Sequence, residues 1–576
     1  MGNYNKHPSI HVQGRCIQGY AGILSELKQQ ITTEDFSLVV DTYPGVYDAE
    51  VIPQLKKLGA SVFVDMKTLY KKEAAITEQL YYNITDDRVF GKMYFGDILD
   101  FIDLAKLEAA RKQVQETKGL IIIYGFGARL VAEGDMLVYL DLARWEIQQR
   151  YRGGMPNYFC ENPNEEILRK YKRGFFIEWR IADKYKQELF DEIDYLIDTN
   201  VKGHPKMISG DAFRAGLVAA AKRPFSLVPY FDPGAWGGQW MKEVFDLDKS
   251  ADNFAWSFNG VPEENSIYLN FNGVNVEIPT MDLTLYQPKA LLGEKVYARF
   301  GAEFPIRFDF LDTMGGGNLS LQVHPVTEYI KKQFGMAYTQ DESYYILDAK
   351  ETGAVYLGLK EGINPDAMIR DLYRAQDGEI LFDADAYINK FPAKKHDHFL
   401  IPAGTVHSST ADTMVLEISA TPYIFTFKLW DWGQVGLDGK PRPVHIDHGK
   451  RVIQWDRRTK WVEENLVNDI CVLRRDENET EERTGLHELQ FIETRRYWIR
   501  GVSKHDTKGT VHMLIVVEGK EAIVESPEDR FEPFVVHYAE AFIVPAAVGA
   551  YTIRPFGKSE GQEIAVVKAY VRGTER

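Results

Sequence analysis

The texture of the chain changes near Pro229, and that change limits the fold more than any other feature of the sequence. Up to about residue 205, short β-branched runs alternate with longer helical patterns, which predicts a parallel sheet flanked by helices. The strands expected there are Phe36 to Asp41, Ser61 to Asp65, Leu120 to Tyr124 and Met136 to Asp141, with a helix over Ile102 to Lys118. Beyond Pro229 the chain breaks into short strands punctuated by Gly, Pro, Asn and Asp, an all-β pattern with one helical interlude around Asn364 to Tyr373. The polar stretch Arg474 to Arg483 reads as a linker, and strands resume at His512 to Val517, Phe534 to His537 and Ile564 to Val571. A length of 576 residues exceeds what one core can serve. The expectation is therefore a multi-domain chain divided at 1–205 (α/β), 206–470 (all-β) and 471–576 (all-β).

The tail echoes the middle. Phe542-Ile-Val-Pro-Ala-Ala-Val-Gly-Ala-Tyr551 resembles Phe399-Leu-Ile-Pro-Ala-Gly-Thr-Val-His407 but lacks its histidine, so the tail is expected to form a second barrel without metal.

Only three cysteines occur, Cys16, Cys160 and Cys471, and no two form a CxxC pair. A disulfide framework and a thiolate zinc site are both disfavoured, so a bound metal would take nitrogen and oxygen ligands. A formal net charge of -16 argues against nucleic acid as a partner, because phosphate backbones are gripped by concentrated Lys and Arg. No uncharged apolar run has the length of a membrane span, and the first residues lack the apolar core of a signal peptide. A cytoplasmic protein without a membrane partner is expected. The oligomeric state is not fixed by the sequence, and a homodimer is compatible with it.

One constellation stands out in the middle region. Asn318-Leu-Ser-Leu-Gln-Val-His-Pro325 reads as a strand on which Gln322 and His324, two residues apart, share a face. Glu342 opens the apolar run Asp341-Glu-Ser-Tyr-Tyr-Ile-Leu347, and His407 follows the turn Ile401-Pro-Ala-Gly-Thr405. Each has an ordinary explanation by itself: a hydrogen-bonded core histidine, a solvated strand-end Glu, a plain turn. Together, two imidazoles, a carboxylate and an amide oxygen would make a zinc site with room for a substrate oxygen.

These segments resemble class I mannose-6-phosphate isomerases, metal-dependent barrels of the cupin, or jelly-roll, type. The family carries QVHP, then a metal-binding Glu before an apolar strand, then PAGTxH. Here they stand as Gln322-Val-His-Pro325, Glu342 and Pro402-Ala-Gly-Thr-Val-His407. Further matches are Trp236-Gly-Gly238, Leu291-Leu-Gly293, Phe304-Pro-Ile306, Phe310-Leu-Asp312, Leu416-Glu-Ile418, Leu429-Trp-Asp-Trp432, Gly439-Lys-Pro-Arg442 and His445-Ile446, within roughly residues 220 to 450. The resemblance implies one Zn2+ per chain, held by Gln322, His324, Glu342 and His407. It also implies interconversion of mannose 6-phosphate and fructose 6-phosphate through an enediol or enediolate. The catalytic residues it points to are Glu417, as proton carrier, Lys428 and Arg442; the substrate-binding ones are Arg307, Ser320 and Trp236.

There are departures. Thr339-Gln-Asp-Glu342 replaces the family's Lys before the metal-binding Glu, and Lys428 in Thr426-Phe-Lys-Leu-Trp-Asp431 replaces an Arg, losing the planar fork. Two alternatives therefore stay open: a non-catalytic sugar-phosphate-binding regulator, and a non-haem iron oxygenase, whose facial triad is also two His and one carboxylate.

The first 205 residues loosely resemble uridine-kinase-like nucleotide kinases, through Val39-Val-Asp41 and Asp141-Leu-Ala-Arg-Trp-Glu-Ile-Gln-Gln-Arg150. Those enzymes need GxxxxGK[ST] to cradle phosphate. The glycine run Gly14-Arg-Cys-Ile-Gln-Gly-Tyr-Ala-Gly22 has no Lys-Ser or Lys-Thr, and Tyr124-Gly-Phe-Gly127 reads as a simple turn, so kinase activity is not expected.

Overall fold

A computed structural model describes residues 3–420, 423, 425–435, 442–485 and 487–573. The chain forms two compact units, and neither is continuous in sequence. One comprises Ser9–Ala220 with Ser266–Gln287; the other comprises Met1–Pro8, Ala221–Asn265 and Pro288–Arg576.

The first unit is built on a seven-stranded sheet. Its order is Ile17–Gln18, Lys206–Ser209, Tyr195–Asp198, Met136–Asp141, Phe36–Thr42, Leu120–Tyr124 and Val62–Asp65. The last five are parallel, and Lys206–Ser209 and Ile17–Gln18 add antiparallel at one edge. The central strands Met136–Asp141 and Phe36–Thr42 are buried along nearly their whole length, as central strands of a parallel sheet are when both its faces are covered. The helix expected over Ile102 to Lys118 runs Leu104–Glu116, started by the Asp103 carboxylate accepting from the Ala105 and Lys106 amides. The run Gly14 to Gly22 lies on the antiparallel edge rather than at the carboxyl end of a parallel strand, where a phosphate loop belongs.

A boundary at residue 205 does not describe this unit. Helix Gly210–Ala220 belongs to it, burying Phe213 and Leu217, and so does the hairpin Ser266–Phe271 and Val274–Pro279 with the helix Thr280–Tyr286. Strand Ser9–His11 pairs parallel with Ser266–Phe271. A Cβ on Gly216 would stand 2.6 Å from Leu269, so glycine lets helix and hairpin close. Lys186 completes the joint by bridging the buried carboxylates of Asp141 and Asp282.

The second unit is β-rich. A six-stranded sheet runs His398–Ile401, Asp341–Ala349, Thr413–Ala420, Arg307–Asp312, Trp256–Gly260 and Tyr230–Asp232. A five-stranded one runs Ile388–Pro392, Ala354–Leu359, His407–Ser409, Leu321–Val323 and Phe427–Trp430. Trp236, Leu319, Tyr344, Ile346, Val355, Leu357, Phe399 and Val415 form an apolar core shared by the two. The strand expected over Asn318 to Pro325 narrows to Leu321–Val323, and the helical interlude is Pro365–Gln376, capped by Asn364.

The C-terminal strands form a six-stranded and a four-stranded sheet around Tyr497, Leu514, Val516, Phe542, Tyr551 and Val566. The expected strands appear as His512–Glu518, Phe534–His537 and Ile564–Val571. The expected linker is instead a hairpin, Cys471–Arg475 with Glu479–Gly485, at the edge of the larger sheet. Its charges pair across strands: Arg474 meets Glu479 and Glu481, Arg495 lies 2.7 Å from Glu481, and Arg496 lies 2.7 Å from Glu482. An edge strand tolerates such polarity, which is why the run looks like a loop in sequence. Among the described residues no helix is long and apolar enough to cross a membrane.

Candidate metal centre

Three ligand side chains converge from the two facing sheets of the β-rich unit. His324, one residue past strand Leu321–Val323, and His407, the first residue of His407–Ser409, come from the five-stranded sheet; Glu342 comes from the six-stranded one. His324 Nε2 lies 3.0 Å from Glu342 Oε2, and His407 Nε2 lies 2.7 Å from Glu342 Oε1. Their candidate ligand atoms fall within 4.8 Å of one another, and all three residues are buried.

Local chemistry explains the convergence. The turn before His407 carries Gly404 at φ +91°, where a Cβ would also stand 2.6 Å from Gln454 and 2.9 Å from the Val452 carbonyl. The Gly404 amide donates to the His324 carbonyl at 2.9 Å, tying the two imidazole-bearing segments together. Arg457 donates to the Pro402 and Ala403 carbonyls and holds the turn from below.

The imidazoles are oriented as metal ligands are. His324 Nδ1 lies 2.8 Å from the Phe425 carbonyl and His407 Nδ1 lies 2.9 Å from the Thr405 carbonyl. A carbonyl only accepts, so each Nδ1 carries the hydrogen, and in the neutral ring each Nε2 turns a lone pair toward the Glu342 carboxylate. Lone pairs facing a buried carboxylate at under 3.1 Å repel unless a cation lies among them. The donor set therefore fits a divalent ion. With protons in that role, burial pushes the His324 pKa down but Glu342 more than reverses it, and the two imidazoles hold the Glu342 carboxyl well below its usual range despite its burial.

Gln322 is register-paired with His407, and its Nε2 lies 3.2 Å from His407 Nε2. The Ser320 hydroxyl donates to Gln322 Oε1 at 2.9 Å. Exchanging amide nitrogen and oxygen by a half-turn would aim Oε1 at the ligand cluster and leave Ser320 to accept.

Beside the cluster lies a second buried group. Asp309 and Glu417 are register partners on neighbouring strands, and Arg307 Nη2 lies 3.9 Å from Asp309 Oδ1. Burial, with Glu342 and against Arg307, pushes the Asp309 carboxyl up to about 7. Burial, then Asp309 and Glu342, raise Glu417 well above the carboxylate range. The Gln340 amide joins the two groups, donating to Glu342 Oε2 at 3.0 Å and Glu417 Oε1 at 3.4 Å while accepting from the Phe425 amide. The Tyr344 ring stands edge-on to His407, with centroids 5.7 Å apart.

Of the remaining sequence-derived candidates, Lys428 pairs in register with Gln322, and Arg442 forms an ion pair with Asp431 at 3.1 Å. Trp236 is packed in the apolar core against Trp256, with 2% of its surface exposed. Gly439 to Pro441 of the Gly439-Lys-Pro-Arg442 motif lie outside the described residues. Sequence reasoning missed Asp309, Gln340 and Tyr344. The available signal was alternation: Arg307 and Asp309, like Glu342 and Tyr344, are two apart on strands and share a face.

Residues 19–222 match a domain family of unknown function, DUF8485. Over part of its length the chain is similar to mannose-6-phosphate isomerases. A "Probable mannose-6-phosphate isomerase GmuF" of Bacillus subtilis is 25% identical over 232 residues, 40% of this chain and 68% of that protein. A "Mannose-6-phosphate isomerase" of Streptococcus mutans is 25% identical over 220 residues, 38% of this chain and 64% of that one. "Mannose-6-phosphate isomerase ManA" of B. subtilis is 20% identical over 342 residues, 58% of this chain and 94% of its own length. Among solved structures, the mannose 6-phosphate isomerase from B. subtilis aligns with a TM-score of 0.49 at 17% identity, covering 60% of this chain and 99% of that one.

Proposed function

We propose that this protein is a zinc-dependent aldose–ketose isomerase that interconverts mannose 6-phosphate and fructose 6-phosphate. The observation that carries the proposal is the convergence of His324, Glu342 and His407 from two sheets, with Glu417 linked to Glu342 through one amide, that of Gln340. The names of its sequence relatives point to the same chemistry.

His324, Glu342 and His407 would hold the ion, with Gln322 as a fourth ligand in its exchanged orientation. When bound, the ion supplies a Lewis acid that polarises the sugar's carbonyl oxygen. Glu417, whose raised pKa makes its ionised form a stronger base than an ordinary carboxylate, takes the proton from C2 of the open-chain aldose and returns it to C1, while the O2 hydroxyl proton passes to O1. Arg307 and Asp309 set the charge around Glu417, and the burial of the whole group keeps water from competing for the proton. Lys428 and Arg442 are assigned to the substrate phosphate. Ser320 acts by orienting Gln322, whereas the core position of Trp236 gives it a packing part.

We read the α/β unit as a kinase-like fold without a phosphate loop, and residues 471–576 as a second barrel without metal. A coupled assay of mannose 6-phosphate conversion on the full chain tests the activity, with metal analysis of the same sample. Turnover with stoichiometric zinc supports the proposal. Zinc and sugar-phosphate binding without turnover supports a sensor, and stoichiometric iron with oxygen uptake supports an oxygenase.

A further inference from the structure

Gln490 and Phe491, just before the strand Ile492–Ile499, and Arg496 on it grip the segment that carries Glu342. Gln490 Nε2 donates to the main-chain carbonyl of Glu342 at 2.8 Å. The Phe491 ring lies 6.0 Å from Tyr338, two residues before Gln340, and it is backed by Phe300 at 4.9 Å. Arg496 Nη1 donates to the Tyr345 hydroxyl at 3.1 Å and to the His396 carbonyl at 2.9 Å. The grip thus spans residues 338 to 345, which include both Glu342 and the Gln340 amide that reaches Glu417.

Gln490 is the central contact. It is 6% exposed, and it borders a void of about 10 Å³, room for no more than a single water, lined also by Asp341, Glu342, Ser343, Gly485 and Thr494. A buried amide whose donor is used on a ligand residue's own carbonyl fixes where that residue enters the site. Outer contacts of this kind around metal ligands typically change affinity about 10- to 100-fold when removed.

We propose that Gln490 is a positioning residue for the metal centre, acting through the main chain of Glu342, and that the C-terminal strands brace the site from outside. The inference rests on the metal-centre reading above. Nothing in it requires Gln490 to touch ion or sugar.

The test is the divalent-metal affinity of the full chain, measured with zinc or cobalt against a competing chelator, alongside thermal unfolding of the metal-free protein. Gln490→Met removes the donor at similar volume and is expected to weaken metal affinity about tenfold or more. Gln490→Lys retains an N–H donor and is expected to recover most of that loss. Should Gln490→Met fail to fold, Gln490→Leu, which likewise lacks the donor, is measured in its place with the same expectation. Wild-type affinity in Gln490→Met or Gln490→Leu, with only the melting temperature lowered, would overturn the proposal. A wild type that binds no divalent metal would instead overturn the metal centre itself, and the same titration separates the two outcomes.

Discussion

At the scale of residues, the site divides its carboxylates by task through their surroundings. The two imidazoles hold the Glu342 carboxyl well below its usual range, whereas burial, then Asp309 and Glu342, raise Glu417 well above it. Glu417→Gln is therefore expected to lower kcat by at least about 100-fold, the usual scale of a lost general base, while leaving metal content intact. Steady-state kinetics with metal analysis of the same sample check both halves. His324→Ala should do the reverse in order of cause, since metal is lost first and activity follows; a chelator titration reads it directly. The grouping of His324, Glu342 and His407 could be anticipated from the sequence because His324 closes a short strand and His407 follows a glycine turn, both local signals. Asp309, Gln340 and Tyr344 could not, since which face of a short strand points inward is decided by partners distant in the chain.

At the scale of elements, two pieces reward attention. The turn 402–405 depends on Gly404, so Gly404→Ala is expected to cost about 1–3 kcal/mol and to loosen metal binding at once, because the same turn sets His407 and bonds the His324 carbonyl. Denaturant unfolding and metal affinity should shift together. The hairpin Ser266–Phe271 and Val274–Pro279 carries Glu277, whose pKa is pushed up to about 7 by burial and by Asp198, with Ser266 opposing. A carboxyl raised above its unfolded value near 4.5 keeps an extra proton in the folded state, so its share of stability is full at low pH and is lost as pH rises to about 7. Glu277→Gln should remove that loss, raising the melting temperature by a few degrees at pH 8 and little at pH 4. A gain of equal size at both pH values would contradict this. The elements themselves were read well where periodicity was strong, as in Leu104–Glu116 and Leu120–Tyr124. They were misread where charge disguised a paired edge strand, as in Cys471–Arg475 with Glu479–Gly485.

At the scale of the whole molecule, the sequence revealed the change from α/β to β-rich texture but not the exchange of segments between units. That exchange rests on the pairing of Ser9–His11 with Ser266–Phe271, and no local pattern announces a partner so far along the chain. Removing residues 1–205 is accordingly expected to strip the cover from Ile267, Leu269, Val276 and Ile278, all buried here. The shortened chain should aggregate rather than yield an active isomerase, which size-exclusion chromatography would show. Recovery of a monodisperse, metal-binding protein would contradict this.

The backbone passes from one unit to the other four times, after Pro8, Ala220, Asn265 and Gln287. The α/β unit is thus threaded into the chain rather than appended to it. A protease nicking any single one of these junctions releases neither unit whole, and no end-to-end joining of two genes reproduces the arrangement.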